Sequence, residues 1–127
     1  MSLLISDKDT FDVKIRYVAK GGKAKILDEK DAPVPEEKAA SFTFKRRLNW
    51  SETQRMYSSA ISVDGNGNVR TDPYKLIDAR LKALLRDWTV VGEDGKKLAP
   101  VPSNMDKLDP DLVQYVMDKV NVVLNEA

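Results

Sequence analysis

Phe11, Val13, Ile15 and Tyr17 alternate with Asp12, Lys14 and Arg16, the period of two that marks a half-buried strand. Lys20-Gly21-Gly22-Lys23 follows as a tight turn, because paired glycines accept the positive φ that short hairpins need. Ala24 to Leu27 then reads as the returning strand. Residues 28–40 hold Pro33, Pro35 and many charges, which predicts an exposed connector. Phe42 and Phe44 restart the alternation within Ser41 to Arg47, a further strand.

The period then changes. Ser51-Glu52-Thr53-Gln54 has the spacing of a capping box and predicts a helix from near Ser51 to about Ile61, with Met56, Tyr57, Ala60 and Ile61 on its apolar side. Asp64-Gly65-Asn66-Gly67-Asn68 ends it in a polar turn. Asp72-Pro73 opens a second helix, since Asp caps and Pro fits the first helical position. Tyr74, Ile77, Leu81, Leu84, Leu85 and Trp88 recur at intervals of three and four, and at ~100° per residue they fill an arc of roughly 100°, a core-facing stripe. Val90-Val91 and Asp94-Gly95 suggest a small hairpin or extended loop over 89–98. Pro100 and Pro102 are expected to forbid regular structure nearby. Asp109-Pro110 repeats the cap signal and opens a last helix reaching nearly to Ala127.

In that last helix Leu112, Val113, Tyr115, Val116, Met117, Val120, Val122, Val123 and Leu124 span roughly 220°. One core rarely covers so wide an arc on a terminal helix. Either two elements flank it or part of it meets another chain. The order of elements predicts an α+β fold in one domain of residues 1–127. An N-terminal β-hairpin or small antiparallel sheet (1–47, with the connector at 28–40) precedes about three α-helices (48–127).

Composition narrows the chemistry. The 127 residues include no Cys and no His, which removes disulfides, thiol nucleophiles, Cys/His zinc sites and Ser-His triads. Carboxylates and Lys remain, so enzyme function is disfavoured and the expectation is a non-enzyme without cofactor, metal or small-molecule substrate. No apolar run approaches the ~20 residues of a membrane span, and the start of the chain does not read as a signal peptide. Net charge is +1, against a general nucleic-acid or membrane binder. The charge is unevenly spread: residues 41–88 carry nine Lys+Arg against five Asp+Glu, and residues 89–127 carry four against seven. These opposite signs either attract each other across the fold or form two faces for different partners.

Several constellations have plain readings. The Asp64 loop begins like a calcium loop, but Val69 and Lys75 stand where the EF-hand needs Gly and a bidentate Glu; a turn is the better reading. Lys45-Arg46-Arg47 with Arg55 could bind phosphate, but such clusters are common solvated surface. Glu36-Glu37 lies in the connector, and Asp109/Asp111 is explained by capping and the helix dipole. Trp50 and Trp88 read as core or domain-closing aromatics rather than ligand platforms.

The ordered series of these pieces resembles the small tail assembly chaperones of long-tailed, siphovirus-type bacteriophages and prophages. The series is Phe42-Thr43-Phe44-Lys45, Asn49-Trp50-Ser51, Asp64-Gly65-Asn66, Leu81 through Arg86-Asp87-Trp88, Glu93-Asp94-Gly95-Lys96-Lys97, Ala99-Pro100-Val101-Pro102 and Leu108-Asp109-Pro110-Asp111-Leu112. It covers about residues 41–127; the first 40 residues match only as a vague hairpin.

The resemblance implies a non-enzymatic role. Such chaperones coat the aggregation-prone tape measure protein and help recruit tail tube protein, in the cytoplasm of the bacterial host and absent from the mature virion. Burial of apolar surface would be the mechanism, and several copies, side by side or self-associating, would cover a long partner. The expected contact residues are Val113, Met117 and Leu124 on one flank of the last helix, with Tyr115 and Val122 on the other. The alternative is a virion structural protein, a head–tail connector or tail-terminator subunit.

Overall fold

A computed structural model describes residues 3–21 and 23–125. The fold is α+β. The alternating N-terminal segment forms β1 (Thr10–Lys20), which turns at Gly21 (φ +57°) into β2 (Lys23–Leu27); Gly22 of the expected turn lies outside the described residues. β3 (Lys38–Lys45) returns along the other side of β1, pairing Phe11 with Phe44 and Val13 with Phe42. It starts three residues earlier than the alternation of Phe42 and Phe44 implies, so the connector ends at residue 37. That connector is tied down by Arg16, whose guanidinium donates to the Asp28 carbonyl (2.6 Å), the Asp31 carbonyl (2.9 Å) and Glu37 Oε1 (3.2 Å).

Helix α1 (Trp50–Ala60) forms where a helix is expected, but its cap lies two residues earlier. Asn49 Oδ1 accepts from the Glu52 amide, and Glu52 Oε1 accepts from the Asn49 amide, the reciprocal geometry of a capping box. Ser51 and Gln54 play no part in it. The polar turn after α1 joins two short strands, β4 (Ile61–Val63) and β5 (Val69–Thr71), in a separate hairpin. Asp72 caps α2 (Pro73–Leu84) through the amides of Tyr74 and Lys75, as the Asp-Pro signal predicts.

The apolar stripe of α2 outruns the helix. Leu85 to Trp88 leave it as β6 and pair with β3, completing a four-stranded antiparallel sheet in the order β2-β1-β3-β6. Leu85 and Trp88 sit at helical spacing from Leu81, but beside Phe44 and Phe42 they gain a strand partner as well as burial. Trp88 packs edge-on to Phe42 and donates its Nε1–H to the Leu98 carbonyl at 2.7 Å. The β3–β6 register skips Arg86, a bulge that frees its side chain from the ladder.

Residues 89–98 make the expected extended loop, with one bridge between Val91 and Lys97 and Gly95 at φ +78°. Pro102 does not prevent regular structure: it stands at the start of a one-turn helix, α3 (Pro102–Met105), where its missing N–H costs nothing. Helix α4 (Pro110–Asn125) runs as expected; Glu126 and Ala127 lie outside the described residues.

One sheet face carries the core. Val13, Ile15, Phe42 and Phe44 pack with Leu81 and Leu84 of α2 and with Val116, Met117 and Val120 of α4. Arg80 of α2 donates to Asn121 Oδ1 of α4 at 2.8 Å, and since Ile77 and Val113 share one recess and Leu84 and Leu124 another, the two helices run in the same direction. Helix α1 lies outside α2 and joins it through Met56, Ala60 and Ala79. No helix among the described residues is long and apolar enough to cross a membrane.

Candidate protein-binding surface

The wide apolar arc of α4 is mostly used internally. At ~100° per residue, the buried Val116, Met117 and Val120 span about 100°, with the half-buried Val113 and Leu124 inside the same arc, and that stripe is the one turned to the core. Met117 is 2% exposed and cannot touch a partner without unfolding, which corrects the expectation for that residue. Val113 and Leu124 are half-buried against the core and each reaches the rim of a different recess. Tyr115 is half-buried, with Lys119 Nζ 5.4 Å from its ring centre, and Val122 is 55% exposed on the outer side. The five positions therefore do not make one surface. The 220° arc is wide because the sheet, α2 and the loops bury α4 from several sides.

A different patch is open. Trp50 is 76% exposed, not a core residue, and Tyr57 is also exposed. The two are seven apart on α1, hence about 20° apart around its axis, while Met56 and Ala60 hold the adjoining face against α2. Together with Leu48, Leu84 at the end of α2 and Leu124 near the end of α4, they line a groove of 740 Å³. Ile5 and the largely exposed Leu3 of the N-terminal segment border it, and Arg46, Arg47 and Arg80 supply its charge. Among the described residues no acidic side chain lines it. Arg46 leans over the Phe11 ring and pairs with Asp9 at 3.2 Å.

The groove is held by a charged cluster behind it. Lys45 is wholly buried, with Nζ 2.6 Å from both Asp7 Oδ1 and Glu52 Oε1. Glu52 also accepts from Arg86 Nη2 at 2.7 Å. Glu52 thereby links the α1 cap, β3 and the β6 bulge. Burial alone would push its carboxyl up, but hydrogen bonds from Lys45 and the Asn49 amide, with the attraction of Lys45 and Arg86, bring it below its ordinary range. Burial likewise disfavours charged Lys45, and Asp7 and Glu52 outweigh this to hold the ammonium above its ordinary value. Among the described residues no buried side-chain polar atom lacks a hydrogen-bond partner. The expected basic run 45–47 is thus divided: Lys45 is structural, while Arg46 and Arg47 face the groove.

The remaining candidates have structural employment. Asp64 Oδ1 accepts from the amides of Asn66 and Asn68, both at 2.9 Å, and these bonds hold its carboxyl below the ordinary range. Arg70 approaches its other oxygen at 3.8 Å, the arrangement of a hairpin turn. Glu37 binds Arg16 and the Val34 amide, and Asp109 Oδ1 caps the Asp111 amide. Among the described residues no group of three or more metal-binding side chains converges. A smaller recess of 280 Å³ opens where α2 and α4 begin, walled by Val113, Ile77 and the 84%-exposed Tyr74.

Sequence reasoning missed the groove because it read Trp50 as a core or domain-closing aromatic rather than a ligand platform. The signals were present: an aromatic pair at i and i+7, two consecutive arginines just before, and the local excess of positive charge. Comparison with protein-family models, curated proteins and solved structures finds no match.

Proposed function

We propose that this chain is a non-enzymatic binding protein that acts as a tail assembly chaperone, covering apolar segments of a tape measure protein and helping to recruit tail tube subunits. The observation that carries the binding role is the Trp50 groove. An indole so exposed, next to a second aromatic, three arginines and aliphatic walls, has the composition of an interface centre, where Trp, Tyr and Arg dominate the binding energy. Isolated exposed apolar residues are ordinary, but clustered aromatics in a groove are not. The tail-assembly role is supported by the ordered motifs over residues 41–127 and by the physical need of a long helical partner for reversible cover. In that role the protein works in the host cytoplasm and leaves before the particle matures.

The test is co-expression with a long helical tape measure protein. The chain should keep that partner soluble and co-purify with it, Trp50→Ala should lose both effects while remaining folded, and finished particles should lack the chain. Stoichiometric presence in purified particles would instead support the virion subunit reading.

A further inference from the structure

We infer that the Trp50 groove selects a helical segment that is apolar along one stripe and acidic at its margins. The inference rests on the groove being the partner site and specifies the partner's chemistry. Three arginines line the groove and, among the described residues, no carboxylate does. Among the described residues their charges are incompletely answered. Arg47 has neither a hydrogen bond nor an ion pair to a described residue, and Arg80 donates to Asn121, a neutral amide. Among the described residues only Arg46 pairs with an acid, Asp9, and that pair is largely solvated. An incoming acidic group therefore meets cations with unused donors, while an incoming cation meets repulsion without compensation.

The chain itself provides an instance of the chemistry. Its N-terminal segment, Leu3 to Asp9, is apolar and then mainly acidic, with Lys8 between Asp7 and Asp9, and it borders the groove through Ile5 and the largely exposed Leu3. Leu3 and Ile5 contribute to the groove wall, Asp7 reaches Lys45, and Asp9 reaches Arg46. That segment takes the edge of the groove and leaves Trp50, Tyr57 and Arg47 exposed. A partner helix with aliphatic residues at i, i+3, i+4 and i+7 and Glu or Asp beside them would set its stripe on Trp50, Tyr57 and Leu124 and its acids on Arg47 and Arg80.

The experiment uses the full chain and two synthetic amphipathic helices of about 16 residues, ~24 Å long. They share one Leu/Ile stripe, flanked in one by Glu and in the other by Lys, and binding is read from the emission of exposed Trp50. The Glu-flanked peptide should bind on the order of tenfold tighter or more at moderate salt, with the ratio shrinking as salt rises. Arg47→Glu should narrow that ratio about threefold or more without altering the fold. Equal or tighter binding of the Lys-flanked peptide, or a ratio unmoved by Arg47→Glu, overturns the inference. So does a single-stranded oligonucleotide that binds more tightly than the acidic peptide, which would make the groove a phosphate-binding surface. If the tape measure partner is captured while both peptides are ignored, this inference falls and the proposed function stands. If the Glu-flanked peptide binds at Trp50 but no tape measure protein is captured, the inference stands and the proposed function falls.

Discussion

Glu52→Ala should be far more damaging than Lys45→Met, although the two side chains form one ion pair. Lys45 lies wholly inside, and among the described residues Glu52 is its only well-buried acid; Asp7, its other partner, is mostly in solvent. Removing Glu52 leaves a buried ammonium dependent on one exposed carboxylate, frees Arg86 from its acid, and takes away half of the Asn49 capping box. Breaking a buried pair from one side costs about 3–5 kcal/mol, and loss of the reciprocal cap belongs within the same range. Lys45→Met leaves Glu52 with Arg86 and the Asn49 amide, so no charge is stranded, and the replacement is of similar length. Its cost should be about 0–2 kcal/mol, since apolar substitutes for buried ions are often tolerated. Adding Lys45→Met to Glu52→Ala should then recover about 1–3 kcal/mol, because it removes the stranded cation. Urea unfolding followed by far-ultraviolet circular dichroism measures all three variants. With a slope of about 2 kcal/mol per molar, Glu52→Ala should lower the midpoint by roughly 2 M. A loss below about 1 kcal/mol for Glu52→Ala, or a second mutation that worsens the first, would refute the assignment of Lys45 as a stranded buried charge.

Further outcomes follow from the same geometry. Glu52 is held below its ordinary pKa, so its contribution should be present above about pH 4.5 and lost as pH falls through the lower folded value. Lys45 is held above its ordinary 10.5, so its contribution should persist below that pH and vanish only as pH rises past the folded value; urea midpoints across pH 2–12 should therefore fall at both ends, and the acid-side fall should flatten in Glu52→Gln. Met117→Ala should destabilise by about 2–5 kcal/mol, whereas Val122→Ala on the exposed side of α4 should stay within about 0.5 kcal/mol, both read from thermal and urea unfolding. Arg16→Ala should release the connector at residues 28–37, seen as faster tryptic cleavage after Lys30 with little change in the urea midpoint.

The sequence made the elements legible where a local signal and the tertiary environment agreed. Asp72-Pro73 opens α2, Pro110 begins α4, and Phe11 to Tyr17 form a strand with the predicted face inward. It misled where one pattern served two structures. Leu81, Leu84, Leu85 and Trp88 satisfy a helical period, yet the chain bends into β6 because Phe42 and Phe44 offer a ladder that cannot be seen locally. Ser51 and Asn49 both stand three residues before a Glu or Gln, and nothing in the spacing chooses between them. The groove was least legible. Its walls come from the N-terminal segment, from α1 and from the ends of α2 and α4, so no single window contains it. The breadth of the α4 stripe drew attention instead, since periodicity reports how much apolar surface a helix has but not how many neighbours cover it.

Trp50 occupies the first position of α1, immediately after the doubly bonded Asn49. Its backbone is already fixed by the cap, so docking in the proposed role would have only two side-chain torsions to freeze, at roughly 0.5–1.5 kcal/mol. An indole carried on a loose loop would also surrender about 1–2 kcal/mol of conformational entropy for each backbone residue ordered. The helix cap thus does more than start a helix: it holds Trp50 in place in advance, and in the proposed role weakening it should weaken binding by the ordering cost it removes.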